Sequence, residues 1–383
     1  MIDFFNITID GDDFPEIGKP VTTRQPSGAE THSLTEVKVR VASGAQDFSA
    51  QVETRNKQPR MRFRGSPAKW LQGHNGMGSN DFQSVVKASV FLVFETLEID
   101  CPASVSAALS SGEYDVHEAH VAEHYRFPRG LIPKLCDTIR RHADSSLKAV
   151  PMEKGIGIRL WPDSRDLTVA IYDKYNYFMD GLCSHKSMLM GNMPADFQRI
   201  GVGMDFDQMM QEHLANIVRI ETRHMRSLKS KLLPLNRGSL WLPESARELH
   251  IDAVQKIPLQ DMPPLDQREL LLDTASVGHR ILIALWLDGR DPMNFCTSES
   301  VYYRRRREIL ALYGIDLSVR PLPENTIKWS DLTNPASIVE PPQWAVESGF
   351  MYDPKERSTW AVRTQNETAW LRPVPQHRLF KRY

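Results

Sequence analysis

Three arginines alternate with two apolar residues in the run Arg60, Met61, Arg62, Phe63 and Arg64. Successive residues of a β-strand face opposite sides of the sheet, so this run predicts a strand with a buried apolar face and a row of guanidinium groups. Guanidinium groups bind phosphate oxygens through paired hydrogen bonds. We therefore expect Arg62 and Arg64 to steer a nucleic acid backbone.

A glycine-rich loop follows, with Gly73, Gly76 and Gly78 around His74 and Asn75. Glycine lets a backbone approach a ligand closely, while the imidazole and the amide offer hydrogen bonds. Composition alone favours an irregular surface loop. The functional alternative is a loop in which His74 acts in catalysis and Asn75 contacts a phosphate or its metal ion.

A tyrosine and a lysine share one face of a second predicted strand. Leu167, Val169 and Ile171 form its apolar face, and Tyr172 and Lys174 lie on the other. A tyrosine that only packs at a strand end is the simpler interpretation. The chemical alternative is a nucleophile, because a hydroxyl with a pKa near ~10 becomes reactive beside a cation, and Lys174 is a candidate for that cation.

A carboxylate lies between two guanidinium groups on a third predicted strand. Val218 and Ile220 face one way, and Arg219, Glu221 and Arg223 face the other. A surface ion pair would give the same pattern. In a site that handles phosphate, Glu221 is a candidate metal ligand, and Arg219 and Arg223 are candidate phosphate contacts.

The alternation around Asp115 predicts a further metal-binding face. Tyr114 and Val116 point inward, so Asp115 and His117 point outward. Asp115, Glu221 and either His117 or His74 would supply hard oxygen ligands and one imidazole, a set that suits Mg²⁺ or Mn²⁺. A structural role for His117 is an equal alternative.

The elements that must position these residues form an α+β pattern. An amphipathic helix capped by Asp81 or Ser79 follows the glycine-rich loop, and its amino end is expected beside His74 and Asn75. A second helix is predicted at 133–142 and a hairpin from 155–161 to 167–173. We expect a largely antiparallel central sheet with helices on one face and the metal and tyrosine site on the other.

The chain divides into three predicted regions. Residues 1–245 form the catalytic domain, and prolines near 258–264 mark a boundary. Residues 246–320 form a helical region with a basic helix at 298–313, and residues 321–383 form a proline-rich extended tail.

Composition describes an ordinary globular protein of 383 residues with a formal net charge of −1. Affinity for DNA must therefore come from local basic clusters. The four cysteines include no Cys-x-x-Cys pair, which argues against a zinc ribbon and a disulfide framework. No apolar run reaches the ~18 residues of a membrane helix, so we expect a cytoplasmic protein without a membrane partner.

The decapeptide from Ser66 to Asn75, which includes Lys69, closely resembles the "SPAK-x-LQGHN" motif of the filamentous-phage gene II replication proteins. Segments 114–116, 169–174 and 218–223 follow in the order of that family. The resemblance implies a nicking and joining enzyme of rolling-circle replication, with a fold similar to the His-hydrophobic-His nickases. It also implies that Tyr172 is the nucleophile that becomes joined to a 5′ phosphate.

Many rolling-circle nickases hold their metal with a His-hydrophobic-His pair on a strand. This chain offers Asp115-Val116-His117 at that spacing, and the gene II family keeps the acid rather than the first histidine. The implied cofactor is Mg²⁺ or Mn²⁺. The implied partners are duplex and single-stranded origin DNA, contacted by Lys69 among others, and host helicase and replication proteins in a bacterial cytoplasm. The alternative function is a non-catalytic DNA-binding regulator.

A second resemblance covers residues 300–316, which are similar to the "YR-x-RR-x-L…YGID" ending of phage and plasmid relatives. It implies a helix-turn-helix-like module in which Arg304 and Arg305 contact DNA. A solvated basic helix face is the alternative.

Overall fold

The fold is taken from a computed structural model, which describes residues 1–24, 30–34, 37–39, 48–55, 58–72, 74–143, 147–152, 155–179, 206–229, 234–259, 265–266, 272, 275–319, 326–347 and 351–352. Gly73 and most of the predicted tail lie outside these ranges.

A large antiparallel sheet dominates the described part of the chain. Its strands are β1 (Ile2–Asp10), β2 (Pro20–Arg24), β3 (Glu30–Leu34), β4 (Val37–Val39), β5 (Phe48–Arg55), β6 (Gln58–Gly65), β7 (Asp115–Arg126), β8 (Val150–Pro151), β9 (Gly157–Leu160), β10 (Leu167–Asp173) and β11 (Ile217–His224). The spatial order is β2-β3-β5-β6-β1-β7-β11-β10-β9-β8, and β4 pairs with β5. Two short strands, β12 (Leu265–Asp266) and β13 (Thr326–Ile327), pair separately.

The described helices are α1 (Pro67–Gln72), α2 (Phe82–Leu97), α3 (Ala103–Ser111), α4 (Ile132–His142), α5 (Phe206–Leu214), α6 (Ser245–Gln255), α7 (Val277–Leu287), α8 (Glu299–Tyr313), α9 (Trp329–Leu332) and α10 (Gln343–Glu347). Residues 174–179 are also helical and continue directly from β10.

One face of the sheet is apolar and covered by helices. In β6 the side chains of Met61 and Phe63 are buried, as the alternation predicts. They join a hydrophobic cluster with α2, whose Phe82 ring stacks on Trp241 with 3.9 Å between centroids. Burial of these large side chains fixes which face of each strand points inward. The other face, called here the open face, carries the polar side chains.

A second hydrophobic cluster joins the other half of the sheet to helices from both parts of the chain. Ile171 and Ile220 contribute from β10 and β11, Ile139 from α4, and Leu282 and Ile309 from α7 and α8. The carboxy-terminal helices thus share a core with the predicted catalytic region, and the three-region division stays a prediction.

Several predicted elements are confirmed. The fold is α+β with an antiparallel sheet, the predicted hairpin forms as β9 and β10, and α4 lies where expected. Asp81 caps α2, because its carboxylate accepts hydrogen bonds from the Ser84 nitrogen and hydroxyl. No described helix is long and apolar enough to cross a membrane.

The first turn of α2 has contacts besides the predicted one with the glycine-rich loop, and that predicted contact stays a prediction. The Asp81 carboxylate caps this turn, and the side chains of Phe82 and Gln83 contact Trp241. His74 and Asn75 have other contacts, described below.

Candidate active site

The register of β10 and β11 brings the predicted tyrosine and carboxylate together. Tyr172 lies opposite Arg219, and Ala170 lies opposite Glu221. Because Ala170 is small, the Tyr172 hydroxyl reaches along the open face and donates a hydrogen bond of 3.3 Å to Glu221 Oε2. Tyr172 and Glu221 therefore lie on the same face of the sheet, on the side of each strand that its alternation predicts.

The other oxygen of Glu221 extends the cluster into β7. His120 Nδ1 lies 3.2 Å from Glu221 Oε1, and His120 Nε2 lies 2.8 Å from Glu118 Oε1. Arg223 completes the group, with its Nε 2.6 Å from the same Glu118 oxygen. Tyr172, Glu221, His120, Glu118 and Arg223 thus form one hydrogen-bonded chain of side chains, called here the tyrosine cluster.

The electrostatics of this cluster favour a protonated histidine. Burial acts to lower the pKa of His120, but the hydrogen bonds and negative charges of Glu118 and Glu221 outweigh it and raise the pKa to about 9. Burial raises the pKa of the Tyr172 hydroxyl well above its ordinary value, and the charge of Arg219 opposes that rise. Tyr172 is therefore a neutral donor and His120 a cation at neutral pH.

A second group of charges lies buried next to the tyrosine cluster. Arg219, which has no solvent exposure, places NH2 2.8 Å from Asp3 Oδ1 and donates from NH1 to the Asn75 carbonyl at 2.6 Å. The Asn75 amide donates to Asp3 and accepts from Lys174 Nζ at 2.8 Å. The Arg219 guanidinium also lies 5.9 Å from the centre of the Tyr172 ring. We call Asp3, Asn75, Lys174 and Arg219 the buried hub.

Charge compensation holds the buried hub together. Burial alone would raise the pKa of Asp3, but the charges of Arg219 and Lys174 hold it well below its ordinary range. Burial, followed by repulsion from Arg219, lowers the pKa of Lys174 well below its usual value, and Asp3 opposes that shift. One carboxylate thus serves two buried cations.

The buried hub changes the roles predicted for its members. Arg219 and Asn75 were expected to contact DNA, but their polar groups face protein partners inside the structure. Lys174 was expected to favour the Tyr172 phenolate; instead it contacts Asn75 and the Tyr177 ring, and Arg219 is the cation that most strongly lowers the Tyr172 pKa. These residues anchor the glycine-rich loop to the sheet.

The predicted metal ligands do not meet. Glu221 pairs with Ala122 in β7, whereas Asp115 lies seven residues earlier on that strand, about 20 Å away. Asp115 contacts Arg237 at 3.3 Å and Arg60 at 3.8 Å. His117 Nε2 lies 2.8 Å from the Thr8 hydroxyl. The set of Asp115, His117 and Glu221 is therefore corrected, because the strand separates its members.

Comparison with known proteins decides the family. Residues 1–233, more than half of the chain, match the family model for the N-terminal part of the phage replication-associated protein, the gene II product. The chain belongs to the gene II replication protein family. The replication-associated protein of Enterobacteria phage I2-2 is 23% identical over 263 residues, 67% of this chain and 69% of that protein. The predicted resemblance to the gene II replication proteins is confirmed.

One solved structure is also similar to this gene II family chain. It is the rolling circle replication initiator protein from Geobacillus stearothermophilus, at 14% identity, with 71% of this chain and 83% of that chain covered. The TM-score is 0.26, which is too low for any conclusion about the site.

The remaining loop and basic residues divide into buried and exposed groups. His74 of this gene II family protein is buried, and its Nδ1 accepts from the Gly76 amide at 3.3 Å, so it shapes the loop. Lys69 Nζ lies 5.9 Å from the centre of the Tyr177 ring. Arg62 Nε donates to Asn6 at 2.9 Å, and Arg64 is exposed on the same face.

The basic run of α8 is partly used inside the protein. Arg305 NH1 donates to the Gly278 carbonyl of α7 at 3.1 Å, and Arg306 bonds to both carboxylate oxygens of Asp316. Arg304 stays exposed, 4.0 Å from Glu308. Arg305 was predicted to contact DNA, but it joins two helices, whereas Arg304 remains on the surface.

Sequence reasoning missed Asp3, Glu118 and His120. His120 lies between two carboxylates. Strict alternation fails here because β1 and β7 shift register between Asn6 and Ile7, which puts both His117 and Glu118 on the open face. A signal was present: Glu118-Ala119-His120 has the acid-hydrophobic-histidine spacing that was assigned to Asp115-Val116-His117.

The tyrosine cluster has the donor types of a divalent-metal site but not its arrangement. Within the described ranges, no three acidic, cysteine or histidine side chains are placed so that they could hold a metal ion. Both ring nitrogens of His120 are instead directed at carboxylate oxygens. A metal would therefore have to replace a proton of His120.

Proposed function

We propose that this rolling-circle replication initiator is a DNA nicking and joining enzyme that uses a tyrosine nucleophile on the open face of its sheet. The observation that supports this most is the hydrogen bond of 3.3 Å from the Tyr172 hydroxyl to Glu221 Oε2. A carboxylate in that position is a base for the tyrosine proton. Arg219 beside the ring stabilises the phenolate that forms.

The reaction conserves a phosphodiester. The Tyr172 oxygen attacks the phosphorus of the scissile bond as its proton moves to Glu221, and the bond from phosphorus to the 3′ oxygen breaks. The departing 3′ oxygen takes its proton from solvent, because a metal ion bound at His120 would displace the proton that this ring carries. The products are a 5′ phosphotyrosine and a free 3′ hydroxyl. The reverse attack by a 3′ hydroxyl rejoins the strand.

A divalent cation fits this proposal by donor type. Glu118, Glu221 and His120 would hold Mg²⁺ or Mn²⁺, since hard cations prefer carboxylate oxygens and accept an imidazole. When bound, the ion polarises the phosphate. Binding in place of a His120 proton predicts proton release, which calorimetry in two buffers of different ionisation enthalpy measures.

Origin DNA is the proposed substrate. Arg62, Arg64 and Arg223 lie on the open face. Arg64 is exposed there, and Arg223 belongs to the tyrosine cluster. Guanidinium groups there would position phosphates without reading sequence. Extension of the free 3′ hydroxyl and unwinding of the strand would fall to host replication proteins and a helicase.

Tyr177 is a second candidate for the nucleophile. Its side chain is 38% exposed, whereas Tyr172 is only 3% exposed. The ammonium groups of Lys174 and Lys69 lie 4.9 and 5.9 Å from the Tyr177 ring centre. The two tyrosine rings are 5.5 Å apart, so Tyr177 must move for a phosphate to reach Tyr172. We favour Tyr172 because it has the carboxylate partner.

The test compares Tyr172→Phe with Tyr177→Phe on supercoiled plasmid that carries the element's origin, with Mg²⁺ or Mn²⁺. We expect wild type and Tyr177→Phe to give relaxed circles with protein that survives SDS, and Tyr172→Phe to give none while still binding the plasmid. An adduct that persists in Tyr172→Phe and disappears in Tyr177→Phe moves the role to Tyr177. A wild type that binds but never nicks supports the DNA-binding regulator instead.

A further inference from the structure

A cleft of about 620 Å³ lies where β10 begins and β11 ends, on the helix side of the sheet. Leu167, Leu249 and Ala253 give it apolar walls, and the latter two are buried side chains of α6. Arg226 and Lys229 lie on its rim. Its volume lies in the range of pockets that hold small molecules.

His224 lines this cleft in a defined tautomer. The Ser227 hydroxyl donates its proton to the Asp166 carbonyl at 2.9 Å, so its oxygen can only accept from His224 Nδ1, which is 3.2 Å away. The proton of the neutral ring is then on Nδ1, and Nε2 carries a lone pair. Burial lowers the pKa of His224 to about 3, so the ring is neutral at physiological pH.

The Nε2 atom of His224 lacks a hydrogen bond within the described ranges, and His224 is only 2% exposed. A buried acceptor without a donor costs free energy, and native sites with such atoms commonly await a ligand or water. The carboxylate of Glu248 lines the same cleft and adds a further acceptor, and Asp252 there forms an ion pair with Lys256. The missing partner is therefore a group rich in N–H donors.

Cations and acceptors together define the chemistry of the ligand. Arg226 and Lys229 suit a phosphate, the apolar walls suit a planar ring, and the acceptors suit an exocyclic amino group. Cytosine and adenine carry such an amino group, whereas thymine has a carbonyl and a methyl group at the corresponding edge.

We propose that this cleft binds one amino-bearing base of single-stranded DNA, turned out of the strand, with its phosphate at Arg226 and Lys229. The inference rests on the proposed function for its source of DNA. Leu167 lies five residues before Tyr172 on β10, so the cleft is about 17 Å along the strand from the nucleophile. Because the cleft is on the helix side and Tyr172 is on the open face, a strand held there would pass around the end of β10 before it reaches the nucleophile.

The experiment titrates the full chain, labelled with ¹⁵N-histidine, with 2′-deoxycytidine 5′-monophosphate and separately with thymidine 5′-monophosphate. We expect the cytidine nucleotide to bind about tenfold more tightly, as one buried hydrogen bond is worth roughly that factor. The Nε2 resonance of His224 should shift with the cytidine nucleotide only. Equal affinities, or an unmoved His224 resonance, overturn the proposal.

Substitutions at two exposed residues test base recognition and phosphate binding separately, and neither residue is part of the hydrophobic core. Asp252→Asn should narrow the difference between the two nucleotides, and Lys229→Ala should weaken both equally. Asp137→Asn is the matched control, because Asp137 also pairs with a cation on its own helix but lies on α4, away from the cleft. A control that changes the preference as much as Asp252→Asn would contradict the assignment.

The outcomes are separable from those of the nicking test. Mononucleotide binding requires no cleavage. A chain that fails to form the tyrosine adduct yet prefers the cytidine nucleotide would therefore support the proposed binding cleft and contradict the proposed nicking function. A chain that forms the tyrosine adduct but binds both nucleotides equally would support the nicking function and contradict the proposed binding cleft.

Discussion

Replacement of Asp3 by Asn tests whether the buried hub stabilises the protein. Asp3 is the carboxylate partner of Arg219, at 2.8 Å, and its negative charge also acts on Lys174. Removing one member of a buried ion pair typically costs about 3–5 kcal/mol. Asn keeps the shape and one acceptor oxygen, so we expect a loss of about 3 kcal/mol in the free energy of unfolding.

The chain supplies a control on the same strand. Asp10 also pairs with an arginine, Arg60, at 2.7 Å, but the Asp10 side chain is 54% exposed, whereas Asp3 is 12% exposed. Exposed ion pairs contribute about 0.2–1 kcal/mol. Asp10→Asn should therefore lower stability by less than about 1 kcal/mol. Urea unfolding followed by circular dichroism measures both variants under one set of conditions.

Measuring stability at acid pH tests the contribution of the Asp3 carboxylate independently. The pKa of Asp3 is lowered in the folded protein, so its contribution is complete above the unfolded value near ~4 and is lost as the pH falls below it. The wild type should lose stability more steeply than Asp3→Asn in that range. If both asparagine variants cost under about 1 kcal/mol, or the two acid slopes agree, the charge-compensation reasoning is wrong.

Two further predictions concern buried and strained positions. Burial lowers the pKa of His250 to about 4, so between pH ~6.5 and that value the unfolded chain binds a proton that the folded protein does not. The free energy of unfolding should therefore decrease by about 1.4 kcal/mol for each unit by which the pH falls in this range. His250→Gln should remove this contribution, which a plot of Tm against pH measures. Gly314 and Gly289 both have φ near +70°, but a Cβ at Gly314 would collide with Asn216 while one at Gly289 meets nothing within 4 Å. Gly289→Ala should therefore lower the free energy of unfolding only by the backbone strain of about 1 kcal/mol, and Gly314→Ala should lower it clearly more. Equal losses for the two variants in urea unfolding would contradict the predicted collision with Asn216.

Strand faces could be predicted wherever the pleat runs without interruption. In the central parts of β6, β10 and β11 apolar, buried residues alternate with polar or small ones, so the positions of Arg62, Tyr172 and Glu221 on the open face follow from parity alone. In β7 the same reasoning fails after His117, because one extra residue in the strand reverses which side the following residues face. A bulge depends on the pairing of two strands distant in sequence, so local periodicity does not reveal it.

Charge type alone could not predict which polar residues face solvent. Arg219 and Arg223 have the same parity on one strand, yet Arg219 is buried and Arg223 is 45% exposed at its side chain. The difference arises because Asp3 and the Asn75 carbonyl, both far away in sequence, cover Arg219. Such tertiary partners decide whether a charged side chain is buried, and the residues next to it in sequence do not reveal them.

The position of Arg219 joins the two groups of side chains in one physical argument. A guanidinium that stabilises a developing phenolate is most effective when it need not reorganise during the reaction. Arg219 meets that condition because Asp3 and the Asn75 carbonyl hold it in place 5.9 Å from the centre of the Tyr172 ring. Under the proposed mechanism, the glycine-rich loop would contribute to catalysis without contacting the substrate, because the Asn75 carbonyl holds the guanidinium group beside Tyr172.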